Sequence, residues 1–326
     1  MESLTKNRQP VATLRAMAER AYGAGLVPAG HDWVSELGHG WFNAAYRMRL
    51  RDGRQAVLKV APPPGVEVMT YERDAMATEL AALELIREHT GVPVPAVHFA
   101  DRGRDLCDAD WFLMDFVDAD NYGMIRDTLA PAEQNGYDEA VGAVNRQLNQ
   151  IRGRRFGRLD GPGAASWRAF FTQMVEDLLG DGSRRDVDLG FAYADVRAEI
   201  AEHAGCLDAV TEPRFVEWDL FPNNVMIRDG RIASVIDHER AFYGDPLIEA
   251  IFIGTGLPAF GDPAAYLRGY GRTELTADEH RRRRLYNVHL GLILVIETAY
   301  RGFGSDHADW ARARLAEAMT AGAIKG

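Results

Sequence analysis

The sequence predicts an α+β chain in which a small sheet-rich part, carrying one long helix, precedes a larger and mainly helical part. Three observations predict it. Two apolar-rich runs, 45–50 and 55–60, flank Arg51-Asp52-Gly53-Arg54, and Asp-Gly between such runs is a strong hairpin signal. Within residues 69–89, Met76, Leu80, Leu83 and Ile86 recur at helical spacing. From residue 128 onward helical patterns dominate, interrupted by the strand-like stretch 214–237.

Taken in order, residues 11–23 read as a short amphipathic helix, then the hairpin follows. Pro62-Pro63-Pro64-Gly65 breaks the sheet. Thr90-Gly91 stops the 69–89 helix, and Val92-Pro93-Val94-Pro95 must be extended. Residues 96–117 read as two more strands. The hinge is expected after Asp115 to Asp118, dividing 1–116 from 117–326. Helices are then expected near 131–151, 166–180, 193–210, 246–255, 262–270, 276–302 and 306–321.

Composition narrows the function. The chain has 326 residues, 47% apolar and 26% charged, with a net charge of −11. That is a globular composition, and it argues against nucleic acid as the partner, since phosphate binding rests on clustered positive charge. Two cysteines, Cys107 and Cys206, read as free thiols of a reducing compartment. The first ten residues lack the apolar core of a signal peptide, and the longest apolar run, 290–296, is too short to span a bilayer. A cytoplasmic chain with no membrane partner is expected; oligomeric state is not legible. Of 37 basic residues only Lys6, Lys59 and Lys325 are lysine.

The segment 216–237 carries the chemistry. Asp229-Gly230 closes a hairpin, and pairing outward from it sets Ile227 opposite Ile232 and Asn224 opposite Val235. Asp237 then falls on the face of Asn224, and Asp219 lies in the loop entering that end. Two carboxylates and an amide are hard oxygen ligands and a base, which suits Mg²⁺. The spacing Asp-x₄-Asn, hairpin, Asp matches a phosphoryl-transfer catalytic loop. Phosphate-loop, serine-elbow, zinc-helix and dinucleotide signatures are absent.

Asp219-x₄-Asn224, Ile236-Asp237-His238-Glu239 and Gly244-Asp245-Pro246-Leu247 resemble the catalytic segments of aminoglycoside phosphotransferases and choline kinase-like small-molecule kinases. The resemblance spans roughly residues 33–300, strongest in 214–250. It implies a two-lobed, protein-kinase-like fold with a small antiparallel-sheet nucleotide-binding lobe and a helical lobe holding the acceptor. It makes Asp219 the catalytic base, and Asn224 and Asp237, with Glu239, the Mg²⁺ ligands. By itself Lys59, within Val57-Leu58-Lys59-Val60, reads as an edge or snorkelling lysine. The resemblance makes it the grip on the nucleotide phosphates, paired with Glu79, with Glu72 and Glu84 as fallbacks. Gly38 and Gly40 would lie in the nucleotide-covering loop, and Met114 to Val117, including Asp115 and Val117, would receive the purine. Asp245 would brace the catalytic loop. ATP or GTP is the implied co-substrate.

One departure stands out: Glu217-Trp218-Asp219 replaces the family's usual His-Gly-Asp. Trp218 reads equally as core or as acceptor lining. Asp245 follows Asp237 by eight positions, too few for a peptide-holding segment, so the acceptor should be a small molecule. The acidic balance suits a cationic one. The run His280 to Arg284 reads as a solvated helix face. The expected activity is transfer of the γ-phosphoryl group to a hydroxyl of an antibiotic of aminoglycoside or nucleoside type. The alternatives are a metabolic kinase for an amino sugar, sugar or amino alcohol, and a non-catalytic nucleotide-binding regulator.

Overall fold

The computed structural model describes residues 5–38, 40, 42–249 and 261–320. The chain forms two compact units, Met1–Val68 with Val94–Asp118, and Met69–Pro93 with Ala119–Gly326.

The first unit holds helix α1 (Val11–Tyr22) and strands β1 (Val34–Glu36), β2 (Ala44–Arg49), β3 (Gln55–Val60), β4 (Val97–Asp101) and β5 (Trp111–Asp115). They form one antiparallel sheet in the order β1-β2-β3-β5-β4. The predicted hairpin is β2–β3, with Tyr46 opposite Leu58 and Ala45 opposite Lys59. Strand alternation sends Ala56, Leu58 and Val60 into a core shared with Leu14 and Met17 of α1 and with Trp111 and Leu113 of β5.

The second unit holds α2 (Ala75–His89), β6 (Asp120–Asn121), α3 (Tyr122–Ile125), α4 (Pro131–Leu148), β7 (Gly157–Arg158), α5 (Trp167–Arg184), α6 (Tyr193–His203), β8 (Arg214–Val216), β9 (Val225–Arg228), β10 (Arg231–Val235), β11 (Phe242–Gly244), α7 (Pro263–Tyr270), α8 (Ala277–Arg301) and α9 (Ser305–Thr320). Its strands make two small sheets, β10-β9-β6 and β7-β11-β8. An aromatic core joins the β7-β11-β8 sheet to the helices: Trp167 stacks on Phe242 at 6.1 Å and donates Nε1–H to the Tyr286 hydroxyl at 2.7 Å. Helix α7 comes so close to α4 that a methyl group on Gly269 would stand 1.7 Å from the Glu139 carbonyl oxygen.

Four expectations need correction. The 69–89 helix begins only at Ala75: Thr70–Glu72 is a 3₁₀ turn and Asp74 is left-handed at φ 58°. Tertiary bonds hold that turn out of the helix, Thr70 donating N–H and O–H to Asp181 while Glu72 pairs with Arg301. Pro246–Ile248 is a 3₁₀ turn, and the rest of the helix expected over 246–255, from 250 on, lies outside the described residues. The arginine run is not simply solvated, because Arg282 is buried and donates Nε–H to Asp245 at 2.8 Å. Asp245 accordingly braces α8, accepting from Arg282 and the Tyr286 hydroxyl, rather than the loop of Asp219.

Candidate active site

The Asp219 loop runs from the end of β8 through the 3₁₀ turn Pro222–Asn224 into β9. Its backbone N–H groups have no strand partner, and buried donors need acceptors. Glu249 supplies them: Oε2 accepts from Trp218 N at 2.9 Å and Oε1 from Leu220 N at 3.0 Å, one on each side of Asp219. The bracing expected of Asp245 is done by Glu249. Asn224 donates Nδ2–H to the Asp219 carbonyl at 2.9 Å and to Oδ2 at 3.3 Å, which leaves its amide oxygen as the end chemistry offers a cation.

The register differs from expectation by one residue. Ile227 does face Ile232, but a bulge between Ile232 and Ser234 sets Val235 opposite Val225, not Asn224. Asn224 instead accepts the N–H of Ile236 at 3.0 Å, which still keeps its residue next to the stretch leading to Asp237. Asp237 takes φ 71°.

Glu79, Asp237 and Glu239 each present a carboxylate oxygen within 4.8 Å of the others. Glu79 is fully buried on the inner face of α2, whereas Leu80 is only half-buried, so the helix is turned from the predicted stripe. Three converging carboxylates in a largely enclosed place fit a hard divalent cation, which would offset their repulsion. Among the described residues a second acidic group, Glu199, Glu202 and His203, already has Arg284 on Glu199 and His203.

Burial pushes the Asp219 carboxyl up to about 6; Arg240 opposes this, and Asp237, Glu217 and Glu297 add to it. Arg240 lies over the Tyr71 ring at 5.2 Å and 4.0 Å from Glu297. Burial works against its charge, but Tyr71, Asp219, Glu297 and Glu239 more than offset that. Burial also raises the Glu249 carboxyl to about 8, the N–H groups of Leu220 and Trp218 opposing and Glu217 and Asp219 reinforcing it.

Trp218 resolves as core. Its ring meets Tyr71 at 5.3 Å, Phe242 at 5.6 Å and His289 at 5.4 Å, and its backbone holds φ 64°, a costly conformation for a bulky residue. Glu217, beside it, bonds His238 Nδ1 at 2.7 Å.

Thus Asp219, Asn224, Asp237, Glu239 and Glu79 all belong to the second unit. Lys59, Gly38, Gly40, Asp115 and Val117 belong to the first. Lys59 is buried on the central strand β3, between Ala45 of β2 and Phe112 of β5, which excludes an edge position. Gly40 sits at φ 109°, open only to glycine at low cost. The Asp115 carboxylate accepts from Ala96 N at 2.9 Å and bonds His98 Nε2 at 2.8 Å, tying β5 to the approach of β4. Val117 is half-buried just beyond β5.

Sequence reasoning missed Glu249, Arg240 and Tyr71. The orphan N–H groups beside Asp219 called for an acceptor, but it lies 31 residues after Trp218, a separation no spacing rule reaches.

The profile of the phosphotransferase enzyme family (APH) matches residues 33–286. The chain belongs to that family and is a phosphotransferase enzyme. Solved structures share its kinase-like fold. A thermostable mutant of aminoglycoside phosphotransferase APH(4)-Ia, in ternary complex with ADP and hygromycin B, is 20% identical with a TM-score of 0.71, covering 96% of this chain and 100% of that one. The streptomycin–ATP–APH(2")-IIa ternary complex is 15% identical with a TM-score of 0.66, covering 96% and 99%. A putative aminoglycoside phosphotransferase from Ralstonia eutropha JMP134 is 14% identical with a TM-score of 0.64, covering 96% and 98%. The search of curated proteins found no match. No helix among the described residues is long and apolar enough to cross a membrane.

Proposed function

We propose that this enzyme moves the γ-phosphoryl group of ATP or GTP to a hydroxyl of an antibiotic-like small molecule, with Asp219 as the base. One observation carries the reading: Asp219 and Asn224 are held together on one loop while Asp237 and Glu239, joined by Glu79, gather their carboxylates within 4.8 Å. As the acceptor oxygen bonds to phosphorus and the β–γ bridging bond breaks, the hydroxyl proton passes to Asp219. Glu249 fixes the height of that carboxylate through the two flanking N–H groups, and Asn224 fixes its orientation. Asp237, Glu239 and Asn224, with Glu79 beside them, are the residues that would hold Mg²⁺. When bound, that ion neutralises charge on the nucleotide phosphates.

Lys59 is assigned to the phosphates, Gly38 and Gly40 to the loop over them, and Asp115 to Val117 to the purine. Neighbours of the same fold bind ADP or ATP together with hygromycin B or streptomycin. Both antibiotics are cations, and the net charge of −11 favours an acceptor of that kind. Incubating the protein with Mg·ATP or Mg·GTP and a panel of aminoglycosides, nucleoside antibiotics and amino sugars, read by mass spectrometry, should yield one compound that gains a single phosphoryl group. Nucleotide binding with no phosphorylated product from any of these compounds would overturn the proposed acceptor class.

A further inference from the structure

Glu217 and His238 have no part in the proton transfer described above, yet they are among the most enclosed polar side chains described, 1% and 0% exposed. Glu217 Oε1 meets His238 Nδ1 at 2.7 Å, and the other ring nitrogen, Nε2, lies 3.2 Å from the Val235 carbonyl oxygen. Their places in the chain give the contact its meaning. Glu217 precedes Asp219 by two residues, and His238 directly follows Asp237. Each lies next to a left-handed residue that is not glycine, Trp218 at φ 64° and Asp237 at φ 71°. Such conformations persist where the surroundings over-determine them. The bulge in β10 has meanwhile loosened the ladder as a ruler between the two loops, because it shifts the pairing before the strand ends at Val235. A buried hydrogen bond in a place without competing water is a stiff link.

We propose that the Glu217–His238 pair is the strut that sets the Asp219 loop against the Asp237 loop, a positioning pair for phosphoryl transfer. The inference rests on the reading of Asp219 and Asp237 given above. The strut runs from the residue before Trp218, across to His238, and through Nε2 back to the end of β10 at Val235. It holds both ends of the short chain that carries Asp237. Neither side chain is assigned to substrate or nucleotide. Phosphoryl transfer depends on alignment, and a misplacement of about 1 Å costs about 10²-fold in rate. Losing the strut should therefore appear in kcat and leave nucleotide affinity nearly unchanged.

The test uses the full chain with Mg·ATP, water serving as acceptor, and records kcat, the KM for ATP and the melting temperature. Glu217→Ala should lower kcat by about 10²-fold with the KM for ATP within about threefold, because alignment and not binding is lost. Glu217→Gln keeps the volume and an oxygen acceptor, so it serves as the test should the Ala variant fail to fold, and it should lose about tenfold, one part of that alignment. The exchanged double variant, Glu217→His with His238→Glu, should recover most of kcat, whereas His238→Glu alone should not. Folded Glu217 variants with wild-type kcat, or a double variant no better than its singles, would overturn the proposal. Asp219→Asn in parallel separates the failures. If it loses turnover while the Glu217 variants keep theirs, only the strut is wrong; if it keeps full turnover, the site reading fails and the strut falls with it.

Discussion

The five-stranded sheet of the first unit and the β6–β9–β10 sheet that leads into Asp237 are held by opposite means. In the first, Leu58 and Val60 alternate into an apolar core with Met48, Trp111 and Leu113, and the strands pair without interruption from β2 through β3 to β5. In the second the strands have two to five residues, one carries a bulge, and the segments beyond them are fixed by buried polar contacts, Glu249 on Trp218 and Leu220 and Glu217 on His238. Apolar burial is non-directional and tolerates small shifts, so it builds a scaffold. Hydrogen bonds between enclosed groups are directional and costly to leave unmade, so they fix where a carboxylate points.

This contrast predicts that substitutions in the two regions separate stability from turnover. The largest effect belongs to the acidic group. Asp237→Ala should lower Mg²⁺-dependent turnover by about 10³-fold, or about 4 kcal/mol of barrier, with little change in melting temperature. Steady-state kinetics across a Mg²⁺ titration checks this, and unchanged dependence on Mg²⁺ would move the cation site elsewhere. Next comes Leu58→Ala, which empties a fully buried place on β3. It should cost about 2–5 kcal/mol of stability by denaturant unfolding, while kcat per folded molecule stays the same.

Glu249→Gln should fall between the two classes. It leaves one N–H beside Asp219 without an acceptor, a loss of about 1–3 kcal/mol. It should lower both melting temperature and kcat, which the Leu58 variant does not do. If kcat is untouched, the clamp on the Asp219 loop has no catalytic consequence.

The last effect is in pH dependence. His289, buried against Trp218 and Phe171, is held by that burial near pKa 3, against an ordinary value of 6.5. Between those values the unfolded chain takes up a proton that the folded chain refuses, so stability falls as pH drops through that window. His289→Phe should remove this contribution, and its melting temperature should fall less than that of the wild type between about pH 6.5 and 4.5. Parallel curves for the two proteins would contradict the assignment.

What could be read from the sequence follows the same division. The first hairpin was legible to within one residue, its strands expected at 45–50 and 55–60 and found at Ala44–Arg49 and Gln55–Val60, because Asp52-Gly53 and the alternation around Lys59 act locally. Asp219, Asn224 and Asp237 were legible as a spacing, and the structure brings them into one unit. The Asn224–Val235 pairing was not, because Ala233 is an extra residue in β10 that no local signal marks. The late start of α2 was not, because Asp181 and Arg301, distant in sequence, pull Thr70 and Glu72 into a separate turn. The partners of the buried polar groups are set by tertiary contact, and an α-helical or β period carries no trace of them.

The central claim is that Asp219 takes the acceptor's proton during phosphoryl transfer. The most direct measurement compares wild type and Asp219→Asn for formation of a phosphorylated acceptor from Mg·ATP, with nucleotide affinity measured alongside. The account predicts a loss of about 10²–10⁴-fold in product formation at nearly unchanged nucleotide affinity. Equal rates of product formation by the two proteins would contradict it.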